Sequence, residues 1–411
     1  MAHGAMVLPA SNLRKRERDL FLPISPTDIW NSPPSWIIRF VKILIVGGGI
    51  IGTAHARAAL KAGHEVIHLE RDPVPQSASV RNFGLIWVSG RRSGEELDVA
   101  IRAREIWEEI HLENPELIFR GNGSLTLAQN EAELRVMEEC LEKSDANLRK
   151  WEILGKQETQ KINPTLRGNY LASLWCPLDG AVEPDSVLTS LRDGLTKSSK
   201  YIWRSSVDII DIKSSGDRVT AVAKSGEIFE GDFLIHCPGA DHSSIFKEQF
   251  DSAPIRKVYL QMMSTEPFSE TITTSIADGD SMRYYPGYDV PSVSKLPPQH
   301  PVAKANHMQL LLVQRADGTI TIGDTHAYDE PFPFKLEEEP YEYLHDVASN
   351  LFGVKLPPIR HRWSGVYSQQ TEGAVCDRRR IATNIISVTG PGGRGNSLAP
   401  AIAETTLKEI K

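Results

Sequence analysis

At 411 residues the chain is long enough to enclose two hydrophobic cores, and its 40% hydrophobic and 24% charged content matches a water-soluble globular protein. A net charge of −7 argues against a general nucleic-acid-binding surface. Cys140, Cys176, Cys237 and Cys376 form no CxxC pair, which argues against a zinc site or a disulfide framework, and no stretch approaches the roughly 20 apolar residues that a membrane-spanning helix needs.

Residues 1 to 40 carry Arg14-Lys15-Arg16-Glu17-Arg18 and a proline-rich run to Pro34. They lack the apolar core and cleavage pattern of a secretory signal, and Glu17, Asp19 and Asp28 depart from the acid-poor composition of a transit peptide. The segment is expected to be a disordered extension, and the cysteine usage fits a reducing, cytoplasmic setting.

Residues 41 to 71 hold the most informative pattern. Lys42 to Val46 read as a strand that runs into Gly47-Gly48-Gly49-Ile50-Ile51-Gly52, followed by an alanine-rich helix and a second apolar strand ending at Glu70. The spacing Gly47, Gly49, Gly52 suits a dinucleotide pyrophosphate: a tight turn, bare backbone for phosphate, and close packing of helix on strand. The positive end of the helix faces the phosphates. Glu70 is placed to accept ribose hydroxyls.

After a polar loop at Ser77 to Gly84, the periodicity predicts helices over Glu95 to His111, Glu131 to Arg149 and Glu183 to Ser198, the last capped by Asp185 or Ser186. Gly123 to Leu127 reads as a strand. Strands are expected at Tyr201–Trp203, Val207–Ile212, Val219–Ala223, Glu227–Phe229 and Phe233–Cys237, a meander unlike another βαβ unit. From Ile255 to Tyr367 the pattern is mainly strands, among them Met308–Val313 and Thr319–Ile322, interrupted by one helix near Leu336 to Phe352. Ile385 to Val388 reads as a strand, followed by the Gly390 to Gly395 loop and a last helix capped by Asn396. The meander resembles the three-stranded insertion carried by nucleotide domains of the FAD type, and with that resemblance the predicted fold class is α/β: a Rossmann-like FAD-binding domain with an inserted mixed, antiparallel-rich substrate domain. Its expected boundaries are 41–90, 180–250 and 368–411 for the cofactor domain and 91–179 and 251–367 for the insertion.

The glycine fingerprint with Glu70, the apolar strand ending in Cys237-Pro238-Gly239-Ala240, and the Gly390 to Ser397 loop opening a helix together resemble the D-amino-acid oxidase superfamily of FAD-dependent oxidoreductases. Its members include glycine oxidase and monomeric sarcosine oxidase. Ser79 to Phe83 and Gly323-Asp324-Thr325-His326 are most similar to bacterial members linked to aminophosphonate breakdown. The resemblance implies noncovalent FAD. Gly47, Gly49 and Gly52 would carry the pyrophosphate, Glu70 the ribose, and the backbone of Val207 the adenine edge. Gly239 would line the dinucleotide, and Gly393 and Arg394 with the last helix would face the flavin pyrimidine. Ile51, Arg71 and Asn82 are further expected cofactor contacts.

The implied chemistry is oxidation of a small primary or secondary amine to an imine by hydride transfer to flavin, with dioxygen or another compound accepting the electrons. The protein then needs to fix geometry and supply charge, and no side chain has to be a strong base. Three positions depart from the family pattern. Tyr367 stands where amino-acid oxidases carry a carboxylate-clamping arginine. Gly365 stands where sarcosine oxidases attach flavin through cysteine. Thr321 stands where they carry a lysine that assists reaction with oxygen. Candidate substrate contacts are therefore Arg283 with Tyr285 on one face of an expected strand, Arg81 beyond the ribose acid, and Tyr259 and His326. An anionic group on the amine would suit the arginines. Arg378-Arg379-Arg380 reads as a solvated charge run. A flavin monooxygenase and a non-enzymatic FAD-binding assembly factor are the alternative readings.

Overall fold

The computed structural model describes residues 40–410. The expectation for residues 1 to 40 falls almost wholly outside the described residues.

A six-stranded sheet is built in the order Asp377–Ala382, Ile385–Thr389, Phe233–His236, Lys42–Val46, Glu65–Leu69, Tyr201–Arg204. All neighbours run parallel except the first pair, which is antiparallel. Side-chain alternation explains how both faces are covered. Ile43 and Ile45 point to one side and pack with Ala56 and Ala59 of helix Ile50–Lys61 and with Leu398 and Ile402 of helix Gly395–Leu407. Leu44 points to the other side, where it joins Val219, Ala221 and Phe229. Those residues belong to a three-stranded antiparallel sheet, Ile209–Ser215, Arg218–Ala223 and Ile228–Gly231.

The second large sheet has eight strands in the order Ile359–Gln370, Ile255–Thr265, Ile320–Gly323, Leu311–Gln314, Ser275–Ala277, Ser124–Ala128, Ala172–Cys176, Glu152–Gly155. Its pairs are antiparallel apart from Ser275–Ala277 beside Ser124–Ala128. Leu312, Ile320 and Ile322 on one face pack against Tyr341, Leu344 and Phe352 of helix Glu338–Phe352. Leu311, Leu260 and Met262 on the opposite face pack with Phe83, Leu85 and Trp87, from the segment that follows the glycine turn and Glu70. That segment thereby joins the second sheet to the glycine turn's side of the fold.

Several expected elements differ. The helix predicted over 131–149 is two helices, Glu131–Leu141 and Ala146–Arg149. Asn130 caps the first through its side chain, and the break lets the fully buried Arg149 bond the carbonyl of Arg91 and the carboxylate of Asp145. Neither Asp185 nor Ser186 is a cap. The helix starts at Pro184, whose fixed φ and missing N–H suit a first position, with Glu183 before it making no side-chain cap bond. Asn396 is likewise no cap: Gly390 and Gly392, both at positive φ, lead through a 3-10 turn at Gly392–Arg394 directly into the last helix. The strand expected around Arg283 is instead the short helix Ser281–Tyr284, nucleated where Asp278 accepts the Ser281 amide at 3.1 Å. The arginine run 378–380 lies on an edge strand, where Arg379 pairs with Asp377 and the other two with Glu409.

Candidate active site

Three glycines of the turn have different neighbours. A Cβ on Gly47, which sits at φ +117°, would stand 2.2 Å from the Cys237 carbonyl oxygen, and one on Gly52 would stand 1.9 Å from that of Gly47. These two glycines allow strand, helix and neighbouring strand to cross closely. A Cβ on Gly49 would meet only the Ser79 hydroxyl, at 3.1 Å, and otherwise project into open space. The helix that follows has no acid in its first turn and no side-chain cap. The Ile51 and Gly52 amides lack intrahelical partners by position, so the helix end stays positive. The Ile50 amide donates to Ser79 Oγ at 2.9 Å, a contact that identifies Ser79 as part of the turn although the sequence marked it only as loop.

Glu70 is buried, and its carboxylate is fixed by two amides: Gly48 N–H donates to Oε2 at 2.6 Å and Asp72 N–H to Oε1 at 2.9 Å. Arg71 turns outward to Asp241 at 2.8 Å. The Val207 amide donates to the Glu70 carbonyl at 2.8 Å, so only its carbonyl remains for an adenine edge, a narrower role than the sequence suggested. Gly239 takes φ +62° with no atom within 4 Å of a Cβ position. Asn82 works inside the protein, donating to the carbonyls of Ala78 and Ser79 and accepting from Gly84 N–H and Asn396 Nδ2. It fastens the loop to the last helix.

Gly47 to Gly52, Glu70, Arg71, Ser79, Asn82, Val207 and Gly239 line one cavity of ≈ 830 Å³, which continues past Gly393 and Arg394 to the eight-stranded sheet. The last helix, like the first, has no acid in its opening turn. The Arg394 guanidinium pairs with the buried Glu96 at 2.8 Å. Two uncompensated helix N-termini, a fixed carboxylate and open glycines along one cavity suit an extended diphosphate nucleotide.

At the far end stand Tyr284, Tyr285, Tyr328 and Tyr367, with Leu260 and Met262 beneath. His326 stacks on Tyr284 at 4.5 Å between ring centres, and its Nδ1 lies 3.0 Å from the His307 carbonyl. Tyr285 lies against Trp87 at 5.9 Å, with the buried Arg91 guanidinium 5.6 Å from its centre. Enclosure pushes the phenols of Tyr284, Tyr285 and Tyr367 well above their ordinary value. Burial also pushes the Asp324 carboxyl up to about 8 and the His326 imidazole down to about 4.

The other expected substrate contacts are placed unequally. Arg81 lines the cavity, but its guanidinium bonds the carbonyls of Gln76 and Ser364 at 2.7 and 2.8 Å. Arg283 also lines it, yet is paired with Asp280 at 2.9 Å and bonds the Pro297 carbonyl. Tyr259 lies outside the cavity, stacked on Phe332 at 5.6 Å, because strand alternation sends Leu260 and Met262 to the cavity side. Residues the sequence reading did not select are Asp324, Tyr284, Tyr328, Arg91 and Arg256. Arg256 stacks over Tyr328 at 3.9 Å and donates through Nε to Gln369.

The family model described as FAD dependent oxidoreductase, DAO, matches residues 42–408. The chain belongs to the DAO family of FAD-dependent oxidoreductases. Its fold is shared with glycine oxidase from Bacillus cereus, at TM-score 0.73 and 16% identity over 90% of this chain and 94% of that one. It is shared equally with L-proline dehydrogenase from P. horikoshii, at TM-score 0.73 and 19% identity over 91% and 94%. Among curated sequences, an opine oxidase component of Rhizobium meliloti is 24% identical over 168 residues, 38% of this chain and 45% of that protein, so the match spans less than half of the relative's length.

As a DAO-family enzyme the chain uses FAD, and Tyr367, Gly365 and Thr321 each have a distinct setting. Tyr367 places its hydroxyl near Gly393, 3.6 Å from where a Cβ would be. Gly365 lines the cavity and offers no thiol. Thr321 Oγ1 accepts from Arg315 Nε at 2.8 Å and lies outside the cavity lining. No helix among the described residues is long and apolar enough to cross a membrane.

Proposed function

We propose that this DAO-family oxidoreductase oxidises a small primary or secondary amine carrying a carboxylate or phosphonate to the corresponding imine. The observation that carries this reading is the tyrosine-walled chamber that shares one cavity with the glycine turn and the last helix N-terminus. Bound FAD would supply the chemistry by taking a hydride from the carbon next to nitrogen. Residues 41–90, 180–250 and 368–411 would hold the cofactor, noncovalently since Gly365 replaces the attaching cysteine, and 91–179 and 251–367 would form the substrate side.

The chain's own residues then bind and orient. Arg256 stands at the chamber with only its Nε engaged by a side chain among the described residues, which leaves its two Nη groups for a bidentate anion. It takes over the role expected of Arg283, whose guanidinium is held by Asp280. The hydroxyls of Tyr284 and Tyr367 orient the polar groups of the substrate, while Leu260 and Met262 exclude water from the reacting carbon. With threonine at 321, oxygen and other electron acceptors are both compatible with the site.

The test is anaerobic mixing of the FAD-loaded protein with sarcosine, glycine, D-amino acids and N-methylated aminophosphonates. At least one should bleach the flavin and yield a carbonyl compound after hydrolysis. A flavin that no amine reduces, but that NADPH does, would favour a monooxygenase and contradict the proposal.

A further inference from the structure

The chamber contains a carboxyl group that the function above does not use. Asp324 is 6% exposed, yet it belongs to the cavity wall. Gln309 Nε2 donates to Oδ1 at 2.7 Å, and the Asp324 amide is held by the Gln309 carbonyl at 3.1 Å, so the group is oriented from behind. Among the described residues no donor reaches Oδ2. His326 Nε2 stands 3.6 Å from that oxygen. The other nitrogen of this ring lies 3.0 Å from a carbonyl oxygen, which can only accept, so Nδ1 carries the proton and Nε2 is a second acceptor. Two acceptors therefore converge on one spot, flanked by the rings of Tyr284, Tyr285 and Tyr328, with Tyr367 two strands across the sheet.

We infer that Asp324 is the specificity-determining residue that captures the substrate's ammonium group, with Oδ2 and His326 Nε2 accepting its N–H groups and the tyrosine rings facing the cation. The inference rests on the functional reading above and deepens it: the substrate is a zwitterion, its cation at Asp324 and its anion at Arg256. A carboxylate enclosed by aromatic faces favours a cation both by charge and through the ring quadrupoles. An amine must be neutral before its nitrogen electron pair can help expel hydride. Oδ2 is placed to take that proton, breaking N–H and forming O–H; the freed nitrogen pair then becomes the second carbon–nitrogen bond as hydride leaves the α-carbon with its two electrons for the oxidant.

Burial favours the neutral form of Asp324, so capturing a cation requires its proton to leave. The groups facing it are Tyr284 from the short helix and Tyr285 just after it, Tyr367 from strand Ile359–Gln370, and Tyr328 and His326 from its own segment. Arg256 lies on the strand opposite and Arg91 behind Tyr285. Binding should therefore release a proton and strengthen as pH rises through about 8.

The test compares two ligands of one shape on the FAD-loaded protein: 2-aminoisobutyrate, whose ammonium keeps its N–H groups but whose α-carbon has no hydrogen to give up, and 2,2-dimethylpropanoate, its carbon analogue without the cation. Binding is read by calorimetry and by the shift of the flavin spectrum. 2-Aminoisobutyrate should bind the natural protein about tenfold or more tightly, close to 1.4 kcal/mol, with proton release. The preference should fall to about twofold or less in Asp324→Asn and persist in Asp324→Glu, the flavin spectrum of the unliganded protein being unchanged. Should Asp324→Asn not fold, the natural protein decides: its preference must grow between about pH 6 and about pH 9. Equal affinities, no binding of either ligand, a preference undiminished in Asp324→Asn, or one that is flat with pH overturns the inference. These outcomes are distinct from failure of the functional reading, which shows as a flavin that no amine reduces.

Discussion

Gly47 and Gly49 are two residues apart, and the same substitution should fail in two different ways. Alanine at 47 must adopt φ +117° against a carbonyl 2.2 Å away, so it should cost stability, on the order of 1–3 kcal/mol or more, visible in urea unfolding. Alanine at 49 meets only the movable Ser79 hydroxyl, so the fold should survive while FAD affinity drops about tenfold or more, measured by fluorescence titration. Glu70→Gln should likewise weaken FAD binding, because it replaces a carboxylate held by two amides. Asp324 adds a pH signature. Its folded value of about 8 lies above its ordinary 3.8, so the stability it contributes is full below 3.8 and is lost as pH rises through about 8. Thermal unfolding of the protein without FAD should show that decline, and Asp324→Asn should flatten it. The sequence made the glycines and Glu70 legible because their spacing is local. It made Arg283 prominent and left Asp324 unselected because spacing does not show which side chains are already satisfied. Arg283 finds Asp280 three residues away, whereas the setting of Asp324, with no donor on Oδ2 among the described residues, comes from a tertiary arrangement that no spacing encodes.

At the level of elements, alternation was the dependable signal. Lys42–Val46 sends Ile43 and Ile45 to the helices and Leu44 to the three-stranded sheet, as a strand covered on both faces requires. What sequence reading missed is where tertiary demands override periodicity: the helix over 131–149 breaks so that Arg149 can enter the core, and the stretch at Ser281–Tyr284 coils because Asp278 holds its first amide. Arg315 shows how one side chain joins two elements. Its Nη groups donate to the Asn82 and Phe83 carbonyls at 2.8 Å and its Nε to Thr321, tying the loop beside the glycine turn to the eight-stranded sheet. Burial lowers this guanidinium to about 10, yet it stays charged at neutral pH. Arg315→Met leaves those acceptors without donors, at about 1–3 kcal/mol for each one that stays buried. We expect lower unfolding stability and weaker FAD binding together; weaker FAD binding alone would mean that the tie has no structural role.

For the whole molecule, the chain order made the architecture readable. The glycine turn and the Gly390 loop, far apart in sequence, line one cavity together with residues of the intervening segments. The six-stranded sheet brings Lys42–Val46 and Ile385–Thr389 to either side of Phe233–His236, and both helices that follow those outer strands open without acidic residues. The eight-stranded sheet was less legible, because its short strands at Glu152–Gly155, Ala172–Cys176 and Ser275–Ala277 gain their partners only through long-range pairing. The most direct measurement of the central claim is an anaerobic FAD experiment on the purified full chain. One equivalent of FAD should bind, bleach on addition of a small zwitterionic amine, and return entirely to solution when the protein is acid-precipitated. A protein that binds no FAD, keeps it in the precipitate, or leaves it oxidised with every such amine would contradict the account.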